Sequence, residues 1–243
     1  NASRTAKGIP VVNLLKLEKE EHVTELVPMQ QDMNAEYLFF VTKKGLVKRV
    51  KTQEFDSIRN NGKIAITLKD DDELFNVKAT SGEDEIIIAG SNGKAIRFDE
   101  SEVRVMGRTA SGVRGFNTDG SQVVGVATSN EGKYILSVSE NGYGKKSEIS
   151  DYRKTNRGTK GVKTMNVTTK TGSLVNVRAV NGDEDAMIVT DDGIIIRISL
   201  ENVGVYGRNT QGVKLINVND SETVSKIAIV EKSESESSCE EES

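Results

Sequence analysis

The chain has no tryptophan, two prolines, one histidine and one cysteine in 243 residues. The single cysteine, Cys239, excludes an intramolecular disulfide framework and a cysteine-rich zinc site. The single histidine, His22, stands in the charged stretch EKEEHV and reads as a solvated loop residue. Without tryptophan, the Trp-Asp signature of one propeller class is impossible. With so little proline, breaks in structure must come from the 22 glycines. No apolar run approaches the length of a membrane span, and no basic-then-apolar leader opens the sequence. The expectation is a soluble, cytoplasmic protein with no membrane partner. Aromatic residues make up 5% and hydrophobic residues 35%, which suits several small cores better than one large core.

The net charge of −4 hides an asymmetry. Residues 231–243, EKSESESSCEEES, hold six acidic residues and one lysine, and read as a disordered acidic tail. Residues 1–230 carry a net charge of +1. Any basic surface on this body must therefore come from where charges sit rather than from how many there are.

What the chain has in abundance is repetition. GRTASGVR at 107–114 returns as GRNTQGVK at 207–214, with relatives RGTKGVK at 157–163 and RTAKGI at 4–9. The motif arginines Arg4, Arg59, Arg108, Arg157 and Arg208 are 55, 49, 49 and 51 residues apart. A second series of glycines, Gly45, Gly93, Gly142 and Gly193, recurs at gaps of 48, 49 and 51. Two series holding one period mark a repeat architecture. Before each of these glycines runs a short apolar stretch rich in β-branched or aromatic residues, such as Tyr37–Val41 or Ile86–Ile88, which predicts a strand. Because the runs are continuous rather than alternating, the strands are expected to be covered on both faces. Asn92-Gly93, Asn141-Gly142 and Asp192-Gly193 are hairpin turn signals. Four short strands in roughly 50 residues is the content of a propeller blade. The predicted fold is all-β, with repeat units at 1–55, 56–104, 105–153, 154–204 and 205–230 and no long helix. Tyr37, Tyr134 and Tyr206 read as core.

The basic residues keep the same period. Four residues past each hairpin glycine stand Arg49, Arg97, Lys146 and Arg197. Neighbours along a strand point to opposite faces, so these four are expected to present one charge per unit at one radius. Lys48 and Lys145 stand beside them. Six residues past the motif arginines stand Arg114, Lys163 and Lys214, and Pro10 and Ala65 break this series in the first two units. The motif interiors add Lys7, Lys63 and Lys160. A periodic basic rim suits a curved polyanion, because duplex DNA carries about one charge per 1.7 Å of its axis. Basic residues on edge strands also block edge-to-edge aggregation. An arginine opening a loop serves equally well to hold carbonyls of the next blade, and spacing alone leaves these roles open.

No catalytic centre can be assembled. GYGKKS at 142–147 lacks the first glycine of a phosphate loop, because Ser139 stands there. The acidic runs Asp70–Glu73 and Asp183–Asp185 lack calcium-loop spacing. No cofactor is expected in this chain. A propeller-type protein-interaction module stands as the alternative class.

SRTAKGIPVVNLL, IRNNGKIAI, MGRTASGVRG, NGYGKKSEISDYRKTNRGTKGVK and GRNTQGVKLI together resemble the C-terminal domain of the bacterial DNA gyrase A subunit, through almost all of residues 1–230. The resemblance implies a β-pinwheel, a propeller-like disc whose blades exchange strands, with about five blades here. It implies duplex DNA wrapped on a basic perimeter in support of negative supercoiling. It also implies two protein partners: a separate ATPase subunit, together with the N-terminal cleavage-reunion part of the same polypeptide. The paralogous subunit of topoisomerase IV is similar. The family's hallmark QRRGGKG is absent, with RGTKG at 157–161 its nearest counterpart. The reading therefore expects a fragment that lacks the first blade. The acidic tail is expected either to compete with DNA for the rim or to stay solvated.

Overall fold

The computed structural model describes residues 17, 21, 23–27, 35–56, 62–219 and 222–232. Its regular elements are fifteen strands and short 3-10 turns. Among the described residues no helix is long and apolar enough to cross a membrane.

Four antiparallel hairpins carry the fold: β1 (Tyr37–Thr42) with β2 (Leu46–Lys51), β4 (Glu85–Gly90) with β5 (Lys94–Asp99), β8 (Tyr134–Ser139) with β9 (Tyr143–Glu148), and β12 (Asp185–Thr190) with β13 (Ile195–Ser199). The turn glycines Gly45, Gly93, Gly142 and Gly193 have φ of 80°, 75°, 74° and 90°, the left-handed region that the tight turn needs. A third strand lies on the other side of each first strand. These are β3 (Leu74–Thr80), β7 (Val123–Thr128), β11 (Leu174–Val180) and β15 (Val224–Val230), and each ladder slips by one residue at its end.

The fourth strand comes from farther along the chain. β6 (Val113–Arg114) pairs with β2, β10 (Val162–Lys163) with β5, and β14 (Val213–Lys214) with β9. Each of these two-residue strands follows one hairpin in sequence yet closes the sheet of the hairpin before it. The units thus exchange strands. The motif glycine permits this: at Gly112, with φ 94°, a methyl group would lie 2.5 Å from the Val47 carbonyl oxygen, so only glycine lets the two backbones meet. Among the described residues β13 has no such partner, and its sheet has three strands.

The apolar runs are buried on both faces, as their continuity predicted. Ile86 and Ile88 pack toward the first hairpin with Phe39, Val41 and Phe116, whereas Ile87 packs toward the third with Ile135, Tyr152 and Val177. A further core joins Leu136 and Val138 to Ile188, Leu200 and Ile227. Each core therefore lies between consecutive blades. Strands β7 and β11 touch directly as a parallel pair at Gly125 and Val177, joining two blades into one eight-stranded sheet. Gly125 occupies the register position that Asn76, Asn176 and Lys226 fill in the other blades. Of the tyrosines expected in the core, Tyr206 is 40% exposed, and Tyr37 and Tyr134 are only half-buried. The buried tyrosine is Tyr152, whose hydroxyl lies 2.5 Å from Thr164 Oγ1. Tyr206 fails to reach the core because its segment runs along the outer edge of β9, where its backbone N–H donates to the Lys146 carbonyl.

Candidate nucleic-acid interface

Three of the four cations past the hairpin glycines, Arg49, Arg97 and Lys146, do not line a rim. Strands β2, β5 and β9 are flanked on both sides and covered on both faces, so neither direction of their side chains leads to bulk water. Arg49 and Lys146 are 8% and 5% exposed. Arg97 donates to Glu85 at 2.6 Å and to the carbonyls of Ile149 and Tyr152 in the next unit at 2.9 and 3.1 Å. Lys146 Nζ donates to the Leu200 carbonyl at 2.7 Å. Arg197 donates to Asp185 at 2.6 Å. Arg49 lies 3.8 Å from Glu100. Arg49, Arg97 and Lys146 hold one blade to the next, and for these three the expectation of an exposed basic band is corrected; Arg197 is 40% exposed and its pair with Asp185 lies within its own hairpin.

Two solutions alternate around the molecule. In the second and fourth hairpins the first strand opens with an acid, Glu85 or Asp185, which pairs with the arginine. In the first and third it opens with Tyr37 or Tyr134, over which Arg49 and Lys146 lie at 4.6 and 5.3 Å. The residue before each cation follows the same alternation: Lys48, Ile96, Lys145, Ile196.

Lys48 and Lys145 are fully buried, which corrects their placement on the rim as well. Lys145 Nζ donates to the carbonyls of Gly207 and Arg208 at 2.6 and 2.8 Å. Lys48 Nζ donates to Ala65 at 2.6 Å and to the Arg108 carbonyl. Burial, reinforced by the guanidinium of Arg208 or Arg108, lowers both ammonium groups to about 8. Unfolded lysine gives up its proton near 10.4. Between these values the unfolded chain binds more protons, so the contribution of each lysine to stability rises with pH across that window. Denaturation of the wild type and of Lys145→Met at pH 7.5, 8.5 and 9.5 should show a wild-type midpoint that climbs relative to the variant. Parallel curves would contradict the lowered Lys145.

The motif arginines act as staples to the preceding unit. Nη1 of Arg108 donates to the Ile64 carbonyl at 3.1 Å, that of Arg157 to Arg114 at 2.9 Å, and that of Arg208 to Lys163 at 2.8 Å. All three are half-buried. Of the two roles the spacing left open, carbonyl holding is the one the geometry displays. Arg4, Lys7 and Arg59 lie outside the described residues, as does the acidic tail from residue 233 onward.

The second basic series does reach water. Arg114, Lys163 and Lys214 end the short strands β6, β10 and β14, the outermost strands of three consecutive blades, and all three are exposed. Their backbones are committed to strand exchange, while their side chains are not. Arg114 and Lys163 make no side-chain hydrogen bond or ion pair among the described residues. Lys214 Nζ sits 5.2 Å from the Tyr143 ring. Lys160 is exposed and paired with Asp119 at 2.7 Å. Half-buried Lys63 donates to the Glu54 carbonyl at 3.0 Å.

Sequence reasoning missed two residues here. Arg104 and Arg153 are exposed and make no side-chain polar contact among the described residues. Each stands four residues before a motif arginine. Their segments run along the same outer edges as the short strands: Met106 N–H donates to the Arg49 carbonyl and Thr155 N–H to the Arg97 carbonyl, at 2.9 and 2.8 Å. Counting backward from the motif arginines, as well as forward, would have found them. The outer edges of the first two blades thus each carry two exposed cations outside any ion pair among the described residues, Arg104 with Arg114 and Arg153 with Lys163, and the third carries Lys214.

The family model described as DNA gyrase C-terminal domain, beta-propeller, matches residues 1–28, 36–81, 84–130, 133–181 and 184–231. The DNA gyrase A subunit of Ureaplasma parvum serovar 3 (strain ATCC 700970) is 49% identical over 228 residues, covering 93% of this chain and 27% of that protein. The DNA gyrase A subunit of Staphylococcus aureus (strain MRSA252) is 44% identical over 246 residues, covering 99% and 28%. The chain therefore spans little more than a quarter of the length of these relatives. A solved gyrase A C-terminal domain superposes with a TM-score of 0.81 at 25% identity, over 93% of this chain and 76% of that one. The C-terminal domain of DNA topoisomerase IV superposes at 0.84 with 24% identity, over 92% and 71%, a likeness of fold.

Proposed function

The chain belongs to the DNA gyrase C-terminal domain family, which forms the C-terminal part of the gyrase A polypeptide, and on that premise we propose that it is a non-catalytic domain that binds duplex DNA along its outer edge and bends it there. The observation that carries this reading is the repetition of Arg114, Lys163 and Lys214 on the outermost strands of three consecutive blades, with Arg104 and Arg153 beside the first two. The cations are exposed and sit on two-residue strands whose backbones are fixed by pairing. They meet phosphates rather than base edges, so binding is sequence-tolerant. Bending a site of 20–30 bp costs on the order of 1–6 kcal/mol, which a row of phosphate contacts offsets at moderate salt. In the whole enzyme the bent segment is presented to the cleavage-reunion part of the same polypeptide for passage, and an ATPase subunit supplies the energy for negative supercoiling. The domain works in the cytoplasm and needs no cofactor of its own.

Five phosphate contacts give a slope of log affinity against log salt of about −4 to −5, and a loss of several hundredfold between about 50 and 200 mM. A titration of duplex DNA at several salt concentrations measures this. An affinity that does not change with salt would point to a protein-interaction module instead.

A further inference from the structure

One rim lysine is not free to meet a phosphate. The loop after β6 carries Asp119 at φ 55°, with its N–H held by the Asn117 side chain at 3.2 Å. The motif loop 157–161 lies across that segment: Gly158 N–H donates to the Gly115 carbonyl and Asn117 N–H to the Thr159 carbonyl, at 2.6 and 3.0 Å. This brings Lys160 onto one oxygen of Asp119 at 2.7 Å, while Lys94 reaches the other oxygen at 3.4 Å. The two lysines hold the Asp119 carboxyl below its usual range, Lys160 foremost. Arg114, one of the exposed rim cations, borders the same shallow depression.

The carboxylate does no other work that the structure displays: its polar contacts are these two lysines. All three side chains are substantially exposed, at 41% for Asp119, 54% for Lys160 and 32% for Lys94, so the pairs add little to stability. Among the described residues the arrangement occurs in one unit. The residue three past the motif arginine is Ser111 and Gln211 in the flanking units and lysine only at 160 among the described motifs.

We propose that Asp119 is an intrachain stand-in for a DNA phosphate, seated between Lys160 and Lys94 on the edge of the disc, and that duplex DNA must displace it to engage this unit. The proposal rests on the DNA-binding reading above. Asp119 then attenuates affinity at the motif of Arg157, whose interior lysine is exposed, and leaves the neighbouring edges unchanged. Displacement is feasible because an exposed ion pair is weak, whereas a phosphate row brings many charges together.

The test uses the full chain, Asp119→Asn, Lys160→Gln and the double variant, with fluorescence anisotropy on a mixed-sequence duplex of about 40 bp at about 50 and 200 mM salt. Asparagine keeps the backbone, since Asn and Asp both tolerate left-handed φ, and an unchanged thermal midpoint checks this. Asp119→Asn should bind roughly 3- to 10-fold tighter at the lower salt, with a slope steeper by about one. Lys160→Gln should change wild-type affinity by less than about twofold, yet remove most of the gain when combined with Asp119→Asn. The inference is overturned if the wild type binds with steep salt dependence while Asp119→Asn is unchanged or weaker. Equal losses from Lys160→Gln in both backgrounds would overturn it too, because Asp119 would then act only as a distant charge. If neither wild type nor Asp119→Asn shows salt-sensitive binding, the DNA-binding reading falls along with it.

Discussion

Replacing Arg114, Lys163 and Lys214 together with glutamate should lower duplex DNA affinity by at least about a hundredfold at about 50 mM salt, and flatten the salt slope by about three. Each substitution removes a phosphate contact and places a repelling charge at the outermost strand of a blade. The fold should survive. Strands β6, β10 and β14 are held by backbone pairing, and the three side chains are exposed. A charged residue at a sheet edge is also an ordinary protection against aggregation. The residual binding should come from Arg104 and Arg153, so adding Arg104→Glu and Arg153→Glu should remove what remains. Anisotropy titrations at two salt concentrations, with a circular-dichroism melt as the folding control, measure all of this. A triple variant that binds within about threefold of wild type while folded would remove the outer edge as the DNA surface.

Arg97→Met should do the opposite, costing about 3 kcal/mol of stability while leaving the affinity and salt slope of the folded protein unchanged. The arginine joins Glu85 of its own hairpin to the Ile149 and Tyr152 carbonyls of the next unit. Its loss leaves those carbonyls without their charged donor at a blade junction, and leaves Glu85 with Lys154 alone. Urea denaturation gives the stability change, and a DNA titration well below the melting temperature gives the affinity. A large change in salt slope with unaltered stability would return Arg97 to the binding surface. The two substitutions separate what periodicity alone merges, since both series recur once per unit and both are basic.

That merging shows where sequence reasoning ran out. The run Ile86-Ile87-Ile88 was legible as a strand covered on both faces, and the structure packs its residues alternately toward two neighbouring blades. The same premise applies to the strand paired with it. A cation on β5, flanked by strands and covered by blades, has no wet face to occupy. Treating Arg97 as one of an alternating, half-solvated set was inconsistent with that premise. For Arg114 and Lys163 the spacing led to side chains that do face water, because their strands are only two residues long and lie outermost. Arg104 and Arg153 escaped the pattern because they precede the motif arginines, whereas the forward spacing reaches only residues that follow them.

The sequence by itself determined the period, the hairpins at Gly45, Gly93, Gly142 and Gly193, the all-β class and the places where glycine alone fits. These are local matters, set by φ, by the alternation of side chains and by the demand that apolar runs be covered. Only the tertiary structure decided which positive charges face water. That depends on a strand from one unit closing the sheet of the unit before it, a pairing between residues as far apart as Leu46 and Arg114. Burial of a charge follows from what the rest of the chain stacks against it, and no local pattern of residues encodes that.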